Sequence, residues 1–349
     1  MRQAGVELLE ELTQTAAIGP FDAARHLRRF VQARERFAAF LTTNRPEAVI
    51  LVDFGDFNLP IVAPLAKRSG CQVLYYVSPQ IWAWGQFRLR WVKRYVDRMI
   101  VFFKFEEAFY QHANVPVTWV GHPLVETAKA SGTREQLQQA LGVNPWRVTV
   151  GLLPGSREQE IARHLPLLLS AAERIAWHMP GVQFLVPKAP HAPARMFEPL
   201  QAARGIDVLI CNNRIYDCLT VMDATVVASG TATVEAALFE VPMVVIYRTS
   251  IPTYLAARAV VKVPHIAMVN LIAGNAAVPE LIQHRATPHR IARELVSLLR
   301  SDERKAAMRK KLREVKERLG PPGAVERAAR VVLEELNVQK SEVRKQKTE

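Results

Sequence analysis

Nine short runs of apolar and β-branched residues, separated by stretches of helical periodicity, constrain the fold of this chain more than any other feature. They are residues 48–52 (Ala-Val-Ile-Leu-Val), 72–77, 98–103, 117–120, 148–153, 183–186, 207–210, 224–227 and 243–247. A strand with one wet face alternates apolar and polar residues. A strand apolar throughout is covered on both faces, as in parallel sheets. Parallel neighbours need crossover connections, and amphipathic stretches such as 59–69 and 158–169 stand between the runs. The expected class is therefore α/β with two Rossmann-like halves, which suits 349 residues. The turn cluster Gly142-Val-Asn-Pro145 marks the expected boundary, giving domains 1–144 and 145–320. Beyond Gly320-Pro-Pro-Gly323 a helix over 321–338 is expected, then a polar, disordered tail at 339–349. The chain opens on a polar piece and a helical pattern at 21–41, with one strand before Asp53. A doubly wound domain usually starts with a strand, a glycine turn and a helix.

Forty-six Lys and Arg against 33 Asp and Glu give a net charge of +13, which favours an anionic partner: nucleic acid, an acidic lipid surface or a phosphorylated substrate. No nucleic-acid-binding module is recognisable, so nucleic acid ranks last. Cys71, Cys211 and Cys218 form neither a disulfide framework nor a metal motif, and a reducing cytosolic setting is expected. The opening residues do not read as a signal peptide. The most apolar stretch, 221–247, is interrupted by Asp223, Gly230, Glu235 and Glu240, so no membrane span is expected.

Two strand-to-helix junctions carry the chemistry of an anion site. The first is Val148-Thr-Val-Gly-Leu-Leu-Pro-Gly-Ser-Arg157. Ser156 is placed at the helix N-cap and Arg157 on its first turn, so free N–H groups, a hydroxyl and a guanidinium converge on a phosphate-sized spot. The second is Ala224-Thr-Val-Val-Ala-Ser-Gly-Thr-Ala-Thr-Val-Glu235. Glu235, one turn into that helix, is either stabilised there by the macrodipole or hydrogen-bonds a ribose or sugar hydroxyl.

Other residues leave strand ends, where open α/β sheets bind ligands. Asp53 and Asp56 follow residues 48–52; each is a candidate general base or a helix cap. Tyr76-Val-Ser-Pro-Gln-Ile-Trp-Ala-Trp84 follows the next run. Phe87, Trp91 and Tyr95 then recur every four residues among Arg88, Arg90, Lys93, Arg94 and Arg98. That pattern fits either a core-facing aromatic stripe or a lipid-surface contact. Asn270, within an apolar run, is either a ligand contact or a buried structural amide, and His122 at a strand end is more simply structural.

Five motifs in register, Val52-Asp-Phe-Gly-Asp-Phe-Asn58, Tyr76–Trp84, Leu153-Pro-Gly-Ser-Arg157, Ala228-Ser-Gly-Thr-Ala-Thr-Val-Glu235 and Asn270-Leu-Ile-Ala-Gly274, closely resemble lipid-A-disaccharide synthase, from Met1 to about Leu336. The resemblance implies a GT-B-like fold, two Rossmann-like domains facing a cleft. It implies an inverting, metal-free and cofactor-free glycosyltransferase that joins UDP-2,3-diacylglucosamine to 2,3-diacylglucosamine 1-phosphate. Asp53 matches the proposed general base. Arg157, with Gly155 and Ser156, would hold the diphosphate; Ser229, Gly230, Thr231 and Glu235 would hold the nucleotide; Asn270 would lie near the donor. Ser78, Trp82, Trp84, Trp91, Arg94 and Arg258 would form the acceptor or membrane side, and 252–263, with Arg258 and Lys262, is a second candidate contact surface. The implied location is cytoplasmic, peripheral on an anionic inner membrane, with a homodimer as one form.

The chain also departs from that pattern. Family members begin with a strand and a Gly-Glu-x-Ser-Gly-Asp turn, and on the order of forty residues, about one βα unit with its next strand, are expected to be missing here. Gly55 stands where proline is common, a change expected to affect turn stiffness. The alternatives are another UDP-sugar enzyme, such as a 2-epimerase or a peptidoglycan glycosyltransferase, and a non-catalytic UDP-sugar-binding remnant.

Overall fold

The computed structural model describes residues 5–9, 27–203, 205–261 and 263–346. The expected helix 21–41 falls partly outside these residues; its described portion runs Leu27–Asn44. By their contacts the residues form two units, one of Met1–Val120 with Val325–Glu349, the other Gly121–Ala324.

The first unit holds a parallel sheet in the order β1 (Ala48–Val52), β2 (Gln72–Tyr76), β3 (Arg98–Val101), β4 (Val117–Trp119). Its register sets Val52 beside Tyr76, Tyr76 beside Ile100 and Val101 beside Trp119. Val73, Leu74, Tyr75, Met99, Ile100 and Val101 are fully buried, which is what apolar central strands require. β1 is an edge strand among the described residues, and Ile50 and Val52 stay 48% and 42% exposed. The helix Ala324–Gln346 lies on this sheet: Ala328, Val331 and Val332 pack against Ile100, Val120, Tyr76 and Phe102. Glu335 accepts from Gln72 Nε2 (2.9 Å) and pairs with Arg98, while Arg327 caps the Val120 carbonyl.

The second unit holds six parallel strands in the order β10-β9-β8-β5-β6-β7, with β5 Thr149–Leu153, β6 Gln183–Lys188, β7 Asp207–Asn212, β8 Ala224–Ala228, β9 Met243–Tyr247 and β10 Glu280–Ile282. The chain winds outward from β5 through β6 to β7, then returns to β8 on β5's other side. The β5/β8 pair is thus the topological switch point, the place where open α/β sheets bind ligands beyond their carboxyl ends. Both anion-type junctions leave those two strands.

Two expectations are corrected, and one strand was not foreseen. The turn at 142–145 does not divide the units, because 121–144 pack with the second: Ser131 N–H and Oγ bond Asp217, and Arg134 pairs with Asp223 at 2.8 Å. A turn marks a change of element, not of domain. The tail from 339 is helical as far as Gln346, and 347–349 lie outside the described residues. No Gly or Pro occurs after 336, and Gln, Lys, Glu and Arg are good helix formers. The three-residue β10 had no apolar run to announce it.

Candidate active site

At the first junction, Leu153 ends β5 and the chain turns through Pro154 and Gly155. Gly155 has φ +113°, and a Cβ there would lie 2.6 Å from Glu160 Oε2. Glycine is needed for both reasons. The helix starts at Glu158 with Arg157 as its cap, so Ser156 is not the N-cap. The reason is Glu160: its carboxylate accepts from the backbone N–H of Ser156 (3.2 Å) and Arg157 (3.4 Å), so the carboxylate at the third helical position does the capping. The Arg157 guanidinium stands 3.5 Å from Glu160 and remains 67% exposed. The N–H groups assigned to an anion therefore already hold a carboxylate, an oxyanion of the same donor demand as phosphate. The Arg-x-x-Glu spacing was the signal that would have revealed Glu160.

At the second junction, Ser229 is fixed by its N–H to Ile246 O (2.9 Å) and its hydroxyl to Ile266 O (3.1 Å). Gly230 and Thr231 are exposed at the start of the helix Thr231–Leu238. Behind them Glu235 accepts a hydrogen bond from the Tyr216 hydroxyl at 3.1 Å. Burial pushes the Glu235 carboxyl up, and burial beside Glu235 pushes the Tyr216 phenol up to about 12. Tyr216 stacks on Phe239 with centroids 5.8 Å apart. Sequence reasoning missed Tyr216 because the contact comes from the fold, nineteen positions away.

Asn270 is corrected. It is 1% exposed, and its amide is spent inside the unit: Nδ2 donates to Val278 O (2.9 Å) and Glu280 Oε1 (2.7 Å), and Oδ1 accepts from Val278 N–H (2.9 Å). Glu280 in turn accepts from the N–H of Ile266 and Ala267. Asn270 braces the return to Ser229; it is not presented to a ligand.

In the first unit, Asp53 and Phe54 both take positive φ, +46° each, directly after β1. Two consecutive non-glycine residues in that region store on the order of 1–3 kcal/mol each and need to be held. They are held: the Asp53 carbonyl accepts from Tyr75 Oη (2.6 Å) and Asn58 Nδ2 (2.7 Å). The result leaves Asp53 exposed at the strand's carboxyl end. Asp56, by contrast, is paired with Arg88, whose guanidinium lies 4.1 Å from the Trp84 ring.

The Tyr76–Trp84 segment divides. Ser78 and Trp82 are buried, Ser78 bonding the Tyr110 hydroxyl (2.9 Å) and Trp82 Nε1 donating to Glu106 (3.0 Å). Burial pushes Glu106 up to about 7. These side chains hold the segment down and do not reach a lipid surface. Trp91 packs against the unit's core. Trp84 and Phe87 are exposed, and Arg94 is exposed beside Tyr95. Arg258 is exposed on the helix Ile251–Val260, in which no residue is buried; Lys262 lies outside the described residues. His122 is structural: its Nδ1 accepts from Leu124 N–H at 3.1 Å. Among the described residues no group of three or more His, Cys, Asp or Glu is placed to hold a metal, and no helix is long and apolar enough to cross a membrane.

Two parallel-sheet α/β units, the second with paired anion junctions at its switch point, are the architecture of GT-B glycosyltransferases and of the epimerases that share their fold. The chain is similar in structure to an S. aureus protein, MnaA, solved with UDP (TM-score 0.62, 11% identity, 92% of this chain and 83% of that one). It is also similar to the calicheamicin glycosyltransferase CalG4 (TM-score 0.57, 14% identity, 92% and 82%). Residues 1–333 match the lipid-A-disaccharide synthetase family. Curated relatives named lipid-A-disaccharide synthase include those of Geobacter metallireducens (42% identical over 96% of this chain and 87% of the relative) and Nitrosococcus oceani (43%, over 92% and 82%). The chain belongs to the lipid-A-disaccharide synthetase family, glycosyltransferases of lipid A biosynthesis.

Proposed function

We propose that the chain transfers the diacylglucosaminyl group of UDP-2,3-diacylglucosamine to the 6-hydroxyl of 2,3-diacylglucosamine 1-phosphate, inverting the anomeric centre and releasing UDP. The observation that carries this reading is the pairing of the β5 and β8 junctions at one switch point, one offering Arg157 and the other Glu235. The Arg157 guanidinium and the N–H groups of Ser156 and Arg157 take the diphosphate, displacing Glu160, and neutralise charge as UDP departs. Gly230 and Thr231 offer N–H and hydroxyl donors to the nucleotide, and Glu235 accepts from a ribose hydroxyl. Asp53, on the first unit, takes the proton of the acceptor hydroxyl as its oxygen bonds to the anomeric carbon and the carbon–phosphate oxygen bond breaks. Inversion needs this single displacement and no covalent enzyme intermediate.

Both substrates are acylated, so the enzyme works at an anionic lipid surface. Exposed Trp84 and Phe87 with Arg94, and the helix Ile251–Val260 with Arg258, supply apolar and cationic contacts. No Asp or Glu occurs between Glu240 and Glu280.

The test is incubation with the two substrates and detection of disaccharide and UDP. Asp53→Ala and Arg157→Ala should each abolish disaccharide formation, and Asp53→Ala should spare UDP binding. Full activity of Asp53→Ala overturns the base assignment. Replacing Trp84, Arg94 and Arg258 by serine should reduce co-sedimentation with anionic vesicles; unchanged sedimentation refutes the docking surface.

A further inference from the structure

His164 lies two turns into the helix Glu158–His178 and is 1% exposed. Its Nδ1 is 2.8 Å from the Pro154 carbonyl, and its Nε2 is 3.0 Å from the backbone N–H of Arg248. The two contacts fix the ring's state. An amide N–H can only donate, so Nε2 is the unprotonated acceptor, and Nδ1 carries the proton it gives to Pro154. Burial, which lowers the ring's proton affinity, favours that neutral form.

The position of the ring matters more than its chemistry. Pro154 begins the loop that leaves β5 and carries Gly155, Ser156 and Arg157. Arg248 is the first residue after β9. In the sheet β9 and β5 flank β8 on either side, so one imidazole ties together the two loops that border the Ser229–Thr231 junction. Neighbouring residues are fixed independently: Thr249 exchanges two hydrogen bonds with the Gln283 amide (2.9 and 2.7 Å), and Ser229 holds to Ile246 and Ile266. His164 thus bonds Pro154 and Arg248 directly across β8, and Arg163 of the same helix adds a 3.4 Å hydrogen bond to Thr249 Oγ1.

We infer that His164 is a positioning residue of the nucleotide-diphosphate site, setting the loop that bears Arg157 and the Arg248 backbone at a fixed separation around the nucleotide. The inference rests on the donor-site reading above. It assigns His164 no contact with substrate and no proton transfer. Its effect falls on the donor: a looser loop pair weakens binding of the UDP-linked sugar and leaves the acceptor untouched.

Two substitutions separate positioning from simple core packing. His164→Leu keeps the bulk and removes both hydrogen bonds; His164→Gln keeps one donor and one acceptor in one side chain. UDP affinity is measured by titration calorimetry, with KM for the donor and the acceptor in the disaccharide assay. His164→Leu should weaken UDP and raise the donor KM roughly tenfold, the scale of a buried hydrogen bond left unmade, with the acceptor KM unchanged. His164→Gln should recover most of that loss. A folded His164→Leu variant with wild-type UDP affinity and donor KM overturns the inference, as does a His164→Gln variant as impaired as His164→Leu. A wild-type chain that fails to bind UDP is a different result: it refutes the donor-site reading itself and removes the basis of the inference.

Discussion

Replacing Asn270 by alanine separates a ligand contact from a structural brace. The side chain makes three hydrogen bonds inside the second unit, two to the backbone of Val278 and one to Glu280. Val278 is 2% exposed, so its N–H and C=O have no ready access to water once the amide is gone. Each orphaned group costs on the order of 1–3 kcal/mol. Glu280 loses one partner but keeps the N–H groups of Ile266 and Ala267. The expected loss is therefore about 2–6 kcal/mol, against about 0.5 kcal/mol or less for truncating an unpartnered surface side chain. The brace lies wholly within the second unit, so the appropriate observable is local: the opening free energy of the Val278 amide from native-state hydrogen exchange. Asn270→Asp should be no better, since it sets a carboxylate oxygen against the Val278 carbonyl and the Glu280 carboxylate. UDP affinity of Asn270→Ala should fall only as the return to Ser229 loosens. A local loss below about 1 kcal/mol together with a tenfold loss of UDP binding refutes the brace and restores Asn270 as a ligand contact.

Three further outcomes follow from the geometry. Gly55→Pro should destabilise the first unit by about 1–3 kcal/mol in thermal unfolding, because a Cβ at Gly55 would sit 2.6 Å from Pro79 Cβ; a neutral result means that this contact yields freely. Burial holds the Glu106 carboxyl at about 7, above its ordinary 4.5, so the folded unit binds that proton more tightly than the unfolded chain does. Its contribution is full below pH 4.5 and is lost as pH rises through 7, up to about 3 kcal/mol, and urea titrations followed by tryptophan fluorescence should lose this slope in Glu106→Gln. Tyr216→Phe removes the hydroxyl that donates to Glu235 and should raise the donor KM roughly fivefold at an unchanged acceptor KM; equal changes in both would place Glu235 away from the donor.

The strands were readable because a doubly covered parallel strand has to be apolar at every position, as Met243–Tyr247 is; β1 is equally apolar although Ile50 and Val52 stay exposed at the sheet edge. Their ends were less so: β6 and β7 run two residues further, to Lys188 and Asn212, where polar side chains sit at the solvent end of the sheet. Aromatic residues misled for a related reason. Trp82 and Trp84 are two positions apart and chemically identical, yet one donates to a buried Glu106 and the other lies under Arg88 at the surface. Nothing local distinguishes them, because the distinction is made by the helix that brings Glu106, 24 residues away.

The candidate site shows the same division between what a junction's composition encodes and what the sheet order supplies. Pro154–Arg157 and Ser229–Glu235 each read as a place for an anion, but the sequence holds nothing that makes them neighbours. Adjacency comes from the chain's return from β7 to β8 beside β5. Their supports are equally non-local: Tyr216 behind Glu235, and His164 between the loops on either side of β8. Asp53 is the inverse case. Its type and its place after a strand were visible, but its strained backbone was not: aspartate enters the left-handed region more readily than most residues, yet the phenylalanine that follows it there carries no such mark. Tyr75 and Asn58 hold that strain, so the carboxylate's presentation depends on two side chains that never touch the carboxylate itself. On the proposed role of Asp53, removing the Tyr75 hydroxyl or the Asn58 amide would therefore disturb the base without touching its carboxylate.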